Sequence, residues 1–414
     1  MHKTYKIRCT AIVLLAVLLS SAVAMAAPLT SNSVTMPRSF TTGAFGSNAV
    51  PEGKSPTTGL DVGDAPYRPV LVQYSNDKPA RPHYNMSEAD IVYESIYWGP
   101  SYTRYTAVFN DNHPDLVLSV RSLRWHMAEW REEWDCPIIF WGGQVNAGYG
   151  EGSHDGRACI KCFFLQNNVS GDFLWSPPLG PRHNVSYNSE ANEGGKGLFR
   201  YNVARRPSPH NAGANVEWMV ENAWPTNEDG TPYEPKSHAF KFSDTPSTGT
   251  DTATQINVDY GDGYFPSYTF NAAERVYERS YDGEPQYDGV TEKRIVASNV
   301  IVQFCEVYFI ANDPKRVMTT TTKDGVMDAF INGQHIRGSW VRQALSDRTV
   351  FLDMNGEEIS LMPGKTFIQI LPTYMDFSYI RSDGVEITMD FGSDVPEPQI
   401  DPSLANTDEM DMME

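Results

Sequence analysis

After Trp224-Pro225 no stretch of the chain repeats its apolar residues at helical spacing. The rest is a series of short segments that read as strands: Gln255–Asp259, Val276–Arg279, Asn299–Phe304, Val326–Ile331, Gln334–Trp340, Glu358–Leu361 and Lys365–Leu371. Asn332-Gly333 and Asn355-Gly356 are hairpin signals, because Asn and Gly tolerate the positive φ that a two-residue turn demands. Residues 226–392 are therefore expected to form a mostly-β C-terminal domain, a curled sheet or barrel. Residues 393–414 carry Pro396, Pro398, Pro402 and clustered acids, and read as an acidic disordered tail.

The first half is different. Pro69–Tyr74 reads as a strand, and Ser87-Glu88-Ala89-Asp90 as a capped single turn. Ile91–Tyr97 and Tyr102–Phe109, split by Trp98-Gly99-Pro100-Ser101, suggest a hairpin. Leu123, Met127 and Trp130 recur at helical spacing within Ser122–Trp134, and Val216, Met219, Val220 and Ala223 do so within Asn215–Ala223. Pro137–Trp141 is another strand. Residues 61–225 thus read as a mixed α/β N-terminal domain with an irregular insertion at 144–196, and the fold class is α+β. Residues 27–60, rich in Ser, Thr, Gly and Pro, read as a flexible linker.

The amino terminus carries an address. His2, Lys3, Lys6 and Arg8 precede an apolar run from Ala11 to Leu19, and Ala24-Met25-Ala26 matches a cleavage site. Residues 1–26 read as a secretory signal peptide. The apolar run is short for a span of about 20 residues, and no later stretch reaches that length, so no transmembrane segment is expected in the mature chain. Losing Lys3, Lys6 and Arg8 takes the formal charge from −19 to −22. Such a surface argues against nucleic acid as a partner, since phosphates need a basic face.

Cys9 leaves with the signal peptide; Cys136, Cys159, Cys162 and Cys305 remain. In an oxidising compartment a structural Cys159–Cys162 disulfide is the expectation. Zinc held with His154 and Asp155, a redox role for the C-x-x-C, or inert thiols are the alternatives.

No nucleophile elbow, zinc-protease helix or phosphate-cradling loop occurs. No cofactor or metal is expected. The candidates are polar groups in apolar surroundings. Glu94 shares a strand face with Val92 and Ile96, and Arg104 one with Tyr102, Thr106 and Val108; hairpin register decides whether they meet. Arg121 and Arg124 flank Ser122, a possible N-cap, where two guanidinium forks suit a carboxylate or phosphate. His210-Asn211 follows Pro207-Ser208-Pro209 just ahead of the second helix, and His210 can act as acid or base near neutral pH. Each of these groups has a structural reading as well, as a brace within the fold.

The run Ser87-Glu88-Ala89-Asp90-Ile91-Val92-Tyr93-Glu94, with Arg68-Pro69-Val70, Asn76, Ala80-Arg81-Pro82, Thr103-Arg104, Val120-Arg121-Ser122-Leu123-Arg124 and Pro209-His210-Asn211, resembles the YerB-like lipoprotein family. Asn299–Phe304, Gly338-Ser339-Trp340 and Pro363-Gly364-Lys365-Thr366 resemble its C-terminal domain. The resemblance spans about residues 58–375 and implies a two-domain bacterial envelope protein with no established reaction. The chain departs from the family pattern in lacking a lipid-anchor cysteine, in Leu118-Ser119 before Val120, and in Phe140-Trp141-Gly142-Gly143, where the family carries a histidine.

These readings converge on an exported, extracytoplasmic protein that binds a small anionic ligand or an envelope protein partner. Asp90, Glu94, Arg104, Arg121, Arg124, His210 and Asn211 are its candidate binding residues, and Arg104, Arg121, Arg124, His210 and Asn211 are expected at one cleft. The alternative is an envelope hydrolase that uses a carboxylate, Asp90 or Glu94, with His210.

Overall fold

The computed structural model describes residues 50–143, 160–176, 197–200, 203–236, 238–310, 313–391 and 400–401. The signal peptide, most of the linker and tail, most of the insertion and the Cys159–Cys162 pairing lie outside the described residues.

Strand β1 (Val70–Ser75) is buried along its whole length. Its side chains still alternate: Val70, Val72 and Tyr74 enter one hydrophobic core and Leu71 the other. A strand with apolar residues on both faces must lie in the middle of a layered structure. Strands β2 (Ile91–Trp98) and β3 (Tyr102–Phe109) form the expected hairpin, and β3 also pairs with β1.

Helix α1 (Trp125–Trp134) is buried on nearly every side, so it is gripped by more than one surface. Trp130 stacks on Tyr93 at 4.3 Å, worth about 0.5–1.5 kcal/mol beyond area burial. The helix starts two residues later than the Ser122 cap would place it. Arg124 is the N-cap and supplies no side-chain capping bond. Asp135 closes the helix in the left-handed region, at φ 47°. β4 (Ile138–Ile139) runs parallel to β1, helix α2 (Ile160–Gln166) packs beside α1, and β5 (Leu174–Trp175) pairs with β4. Helix α3 (Val216–Asn222) begins where expected, with the Asn215 side chain accepting from Trp218 N at 2.8 Å.

The C-terminal half supplies β6 (Gln255–Val258), β7 (Pro266–Asn271), β8 (Val276–Tyr281), β9 (Asn299–Cys305), β10 (Lys323–Ile331), β11 (Gln334–Arg342), β12 (Val350–Asp353), β13 (Thr366–Pro372), β14 (Asp376–Ile380) and β15 (Glu386–Asp390). Asn332 and Gly333 hold φ of 49° and 75° and turn β10 into β11, as the dipeptide predicts. Glu358–Leu361 is not a strand; only isolated bridges touch it. The fold is α+β and dominated by strands, and among the described residues its sheets do not close into a barrel.

The large sheet has the order β12-β11-β10-β9-β13-β2-β3-β1-β4-β5. β13 lies parallel to both β9 and β2, with Ile91 opposite Thr366. The sheet therefore runs unbroken across the place where the sequence suggests a boundary near residue 225. A second sheet, β8-β7-β6-β14-β15 with Glu284–Pro285 at its edge, covers one face, and α1 and α2 cover the other. The result is three layers with two cores.

Two segments expected to be loose make contacts. Ser55, Thr57 and Thr58, near the end of the expected linker, are buried. Their hydroxyls donate to Asp111 and Asp90. Ile400–Asp401, within the expected tail, pairs in parallel with Phe309–Ile310.

Candidate functional site

Three stretches meet side by side at the end of β1. The 118–121 segment lies along β1 through Ser75 N to Ser119 O and Arg121 N to Gln73 O, each 2.9 Å. The 210–212 segment lies along 118–121 through Val120 N to Ala212 O at 2.8 Å, and the Ser119 hydroxyl donates to His210 O at 2.5 Å. This lateral pairing brings Arg121 and His210 together although they lie far apart in the sequence.

Asp77, just past β1, is the hub. Its Oδ1 accepts from the Tyr264 hydroxyl at 3.1 Å and the Tyr97 hydroxyl at 3.4 Å. Its Oδ2 accepts from Ser75 Oγ at 2.9 Å and lies 3.9 Å from His210 Nδ1. Burial pushes the His210 pKa down; Asp77 opposes this, while Arg121, Arg104 and Arg206 add to it. The lowered value favours the neutral form of the ring. Its Nε2 makes no hydrogen bond among the described residues.

Arg104 is buried, lies 3.6 Å over the Tyr97 ring and donates from Nη1 to Ser122 O at 2.6 Å. Burial lowers its pKa to about 10, which leaves it a cation at any physiological pH. Arg121 is half-buried, and burial lowers its pKa as well. Among the described residues neither arginine makes an ion pair, and the Nε of each is buried without a partner. Arg124 lies 5.2 Å from the same Tyr97 ring and donates to Leu123 O and Tyr97 O. Arg206 donates to Ala80 O, Pro82 O and Ser119 Oγ. Among the described residues, Asp77 is the carboxylate that acts on Arg104, Arg121 and His210 together.

Of the sequence candidates, Arg104, Arg121, Arg124 and His210 gather here. Asn211 is next to His210, and its carbonyl accepts from Val203 N. Glu94 and Asp90 belong elsewhere. Register places Arg104 opposite Ser95 and Glu94 opposite Tyr105, so Glu94 and Arg104 point to opposite faces of the sheet. Glu94 pairs instead with Arg279 of β8 at 2.6 Å, both side chains fully buried, and also accepts from Asn76 and Thr103. Asp90 lies at the far end of β2, where its Oδ2 accepts from Thr57 Oγ1, Asn110 N and Asp111 N. Neither reaches His210, which corrects the expected pairing of Glu94 or Asp90 with that ring.

Sequence reading missed Asp77, Tyr97, Tyr264 and Ser75. Asn76-Asp77 was legible only as a strand-ending turn, and Tyr264 comes from a loop 187 positions away from Asp77. Among the described residues no cluster of three or more His, Cys, Asp or Glu is placed to hold a metal. Cys136 and Cys305 are buried free thiols whose pKa values burial raises, so they stay protonated and inert. No described helix is long and apolar enough to cross a membrane.

Fold and site together define a three-layer α+β protein with a polar, arginine-rich cluster at one end of its central hairpin. Two family models match it, the protein of unknown function (DUF3048) N-terminal domain over residues 57–151 and the C-terminal domain over residues 256–368. The chain belongs to this family, the YerB-like proteins. A curated relative from Bacillus subtilis (strain 168), named "Putative lipoprotein YerB", is 24% identical over 338 residues, covering 80% of this chain and 90% of the relative. The crystal structure of YerB from Bacillus subtilis superposes with a TM-score of 0.59 at 23% identity, over 77% of this chain and 96% of that one.

Proposed function

We propose that this chain is an exported protein of the cell envelope that binds a small anionic group at Arg104, Arg121 and His210. The name of the curated relative supports the envelope location, and the amino-terminal address supports export. The observation that carries the binding reading is the state of Arg104 and Arg121. Two guanidinium groups, one buried and one half-buried, hold no carboxylate partner among the described residues, and each leaves an Nε unsatisfied. A buried cation without an ion-pair partner is costly, and an incoming carboxylate or phosphate supplies one. Asp77 braces the site through two phenols and a serine, and it keeps long polyanions at a disadvantage.

The test is calorimetric titration of the mature chain with acetate and with inorganic phosphate. Arg121→Ala should weaken binding by about tenfold or more, because a charge-assisted fork is lost. Its thermal midpoint should stay close to that of the parent, since Arg121 makes no ion pair among the described residues. Binding should tighten as pH falls, because a bound anion raises the depressed His210 pKa and the linkage is reciprocal. Binding unchanged by Arg121→Ala would overturn the reading.

A second reading, an envelope hydrolase, rests on the Asp77–His210 pair. Asp77 on the Nδ1 side leaves Nε2 to act as a base toward water. Ser75 is not its nucleophile, being fully buried and donating to Asp77.

A further inference from the structure

We infer that the anion bound at this site is the acidic group of a saccharide whose ring lies on Tyr102. This rests on the anion-binding reading and names the ligand class. Tyr102 and Arg104 stand two residues apart on β3, hence on one face and about 7 Å apart along the strand. Tyr102 is 41% exposed, although its ring is already packed at 5.5 Å and 59° against Tyr264, whose hydroxyl is bound to Asp77. Phe265, the residue after Tyr264 in the sequence, is 40% exposed. An aromatic shelf thus begins about one pyranose ring away from the unpaired arginine.

The surroundings decide what can lie on that shelf. Arg81, over the Tyr281 ring at 3.9 Å, is paired with half-exposed Asp282 at 3.0 Å. Ser101 donates to Asp262 on the neighbouring turn. Single rings separated by charged and hydroxyl groups do not make a continuous apolar surface for a lipid chain. They match a ligand with C–H faces and hydroxyl edges together, and rings meet the first while carboxylates and guanidinium groups meet the second. The acidic exterior favours a short acidic saccharide over a long polyanionic one.

The experiment titrates the mature chain with D-glucuronic acid and D-glucose 6-phosphate, and with acetate, inorganic phosphate and D-glucose as matched controls. The expected result is that at least one acidic sugar binds about tenfold or more tighter than its bare anion. Tyr102→Ala should remove that advantage and leave acetate and phosphate unchanged, whereas Tyr102→Phe should keep it. Equal affinity for acidic sugar and bare anion, with Tyr102→Ala silent, would overturn the saccharide inference and leave anion binding standing. So would glucose binding as tightly as the acidic sugars. Failure of every anion to bind, or binding indifferent to Arg121→Ala, would remove the anion reading and this inference with it.

Discussion

Glu94→Ala is expected to cost about 3–5 kcal/mol of stability, the range for breaking a buried ion pair from one side. Glu94 and Arg279 are both fully buried and 2.6 Å apart. Arg279 also lies within 5.6 Å of the rings of Tyr105, Tyr268, Tyr281 and Phe367. Removing the carboxylate leaves the guanidinium in that aromatic box with neutral acceptors only, the Tyr268 hydroxyl and Gln286 Oε1. The damage should spread to the site. Asn76 Nδ2 donates to Glu94 Oε1, Thr103 Oγ1 and the Tyr281 hydroxyl, and Asn76 immediately precedes Asp77. Chemical denaturation measures the first effect, and anion titration of the still-folded fraction measures the second. Glu94→Gln keeps an acceptor for Asn76 and should cost less. A loss below about 1 kcal/mol for Glu94→Ala would show that the pair is not what joins the two sheets here.

That pair also shows where sequence reading stops. Alternation along Ile91–Tyr97 was enough to place Glu94 among Val92 and Ile96, and to say that a buried charge needs a partner. The partner lies 185 residues away in β8, and nothing local marks it. The hairpin, α1, α3 and the Asn332-Gly333 turn were legible because each depends on periodicity or turn chemistry within a dozen residues. The continuous sheet was not. Its joint is the parallel pairing of β2 with β13, a contact set by the whole topology. The strands β7, β12, β14 and β15 went unread, and several carry polar residues on a half-covered face, which weakens the apolar signal. The same division holds for the site. Arg121, Arg124 and His210 drew notice as charges at element edges, and the pairing of 118–121 with 210–212 brought them together. Asp77 and Tyr264 carry no local mark of their role.

Asp90 leads to the second large effect, one of pH. Burial, with the charge of Asp111 behind it, raises the Asp90 pKa to about 7 despite the hydrogen bonds from Thr57 and the Asp111 backbone. The unfolded value is about 3.8, so the folded state binds the proton more tightly. The stability tied to that proton is fully present below the unfolded pKa, is lost as pH rises from about 4 to about 7, and is absent above. The span corresponds to at most on the order of 4 kcal/mol. Asp90→Asn keeps a carbonyl oxygen for Thr57 Oγ1, Asn110 N and Asp111 N and cannot ionise. The variant should therefore match the parent near pH 4, exceed it near pH 7.5, and show a flatter profile of unfolding free energy between the two. Thr57→Val isolates the strap that covers this carboxyl: losing the hydroxyl removes a bond to the ionised form, so the apparent pKa should climb further and the loss of stability should extend to higher pH. Parallel profiles for the parent and Asp90→Asn would mean that the hydrogen bonds hold Asp90 ionised throughout, and that the Ser55–Thr58 strap rests on a carboxylate rather than a carboxylic acid.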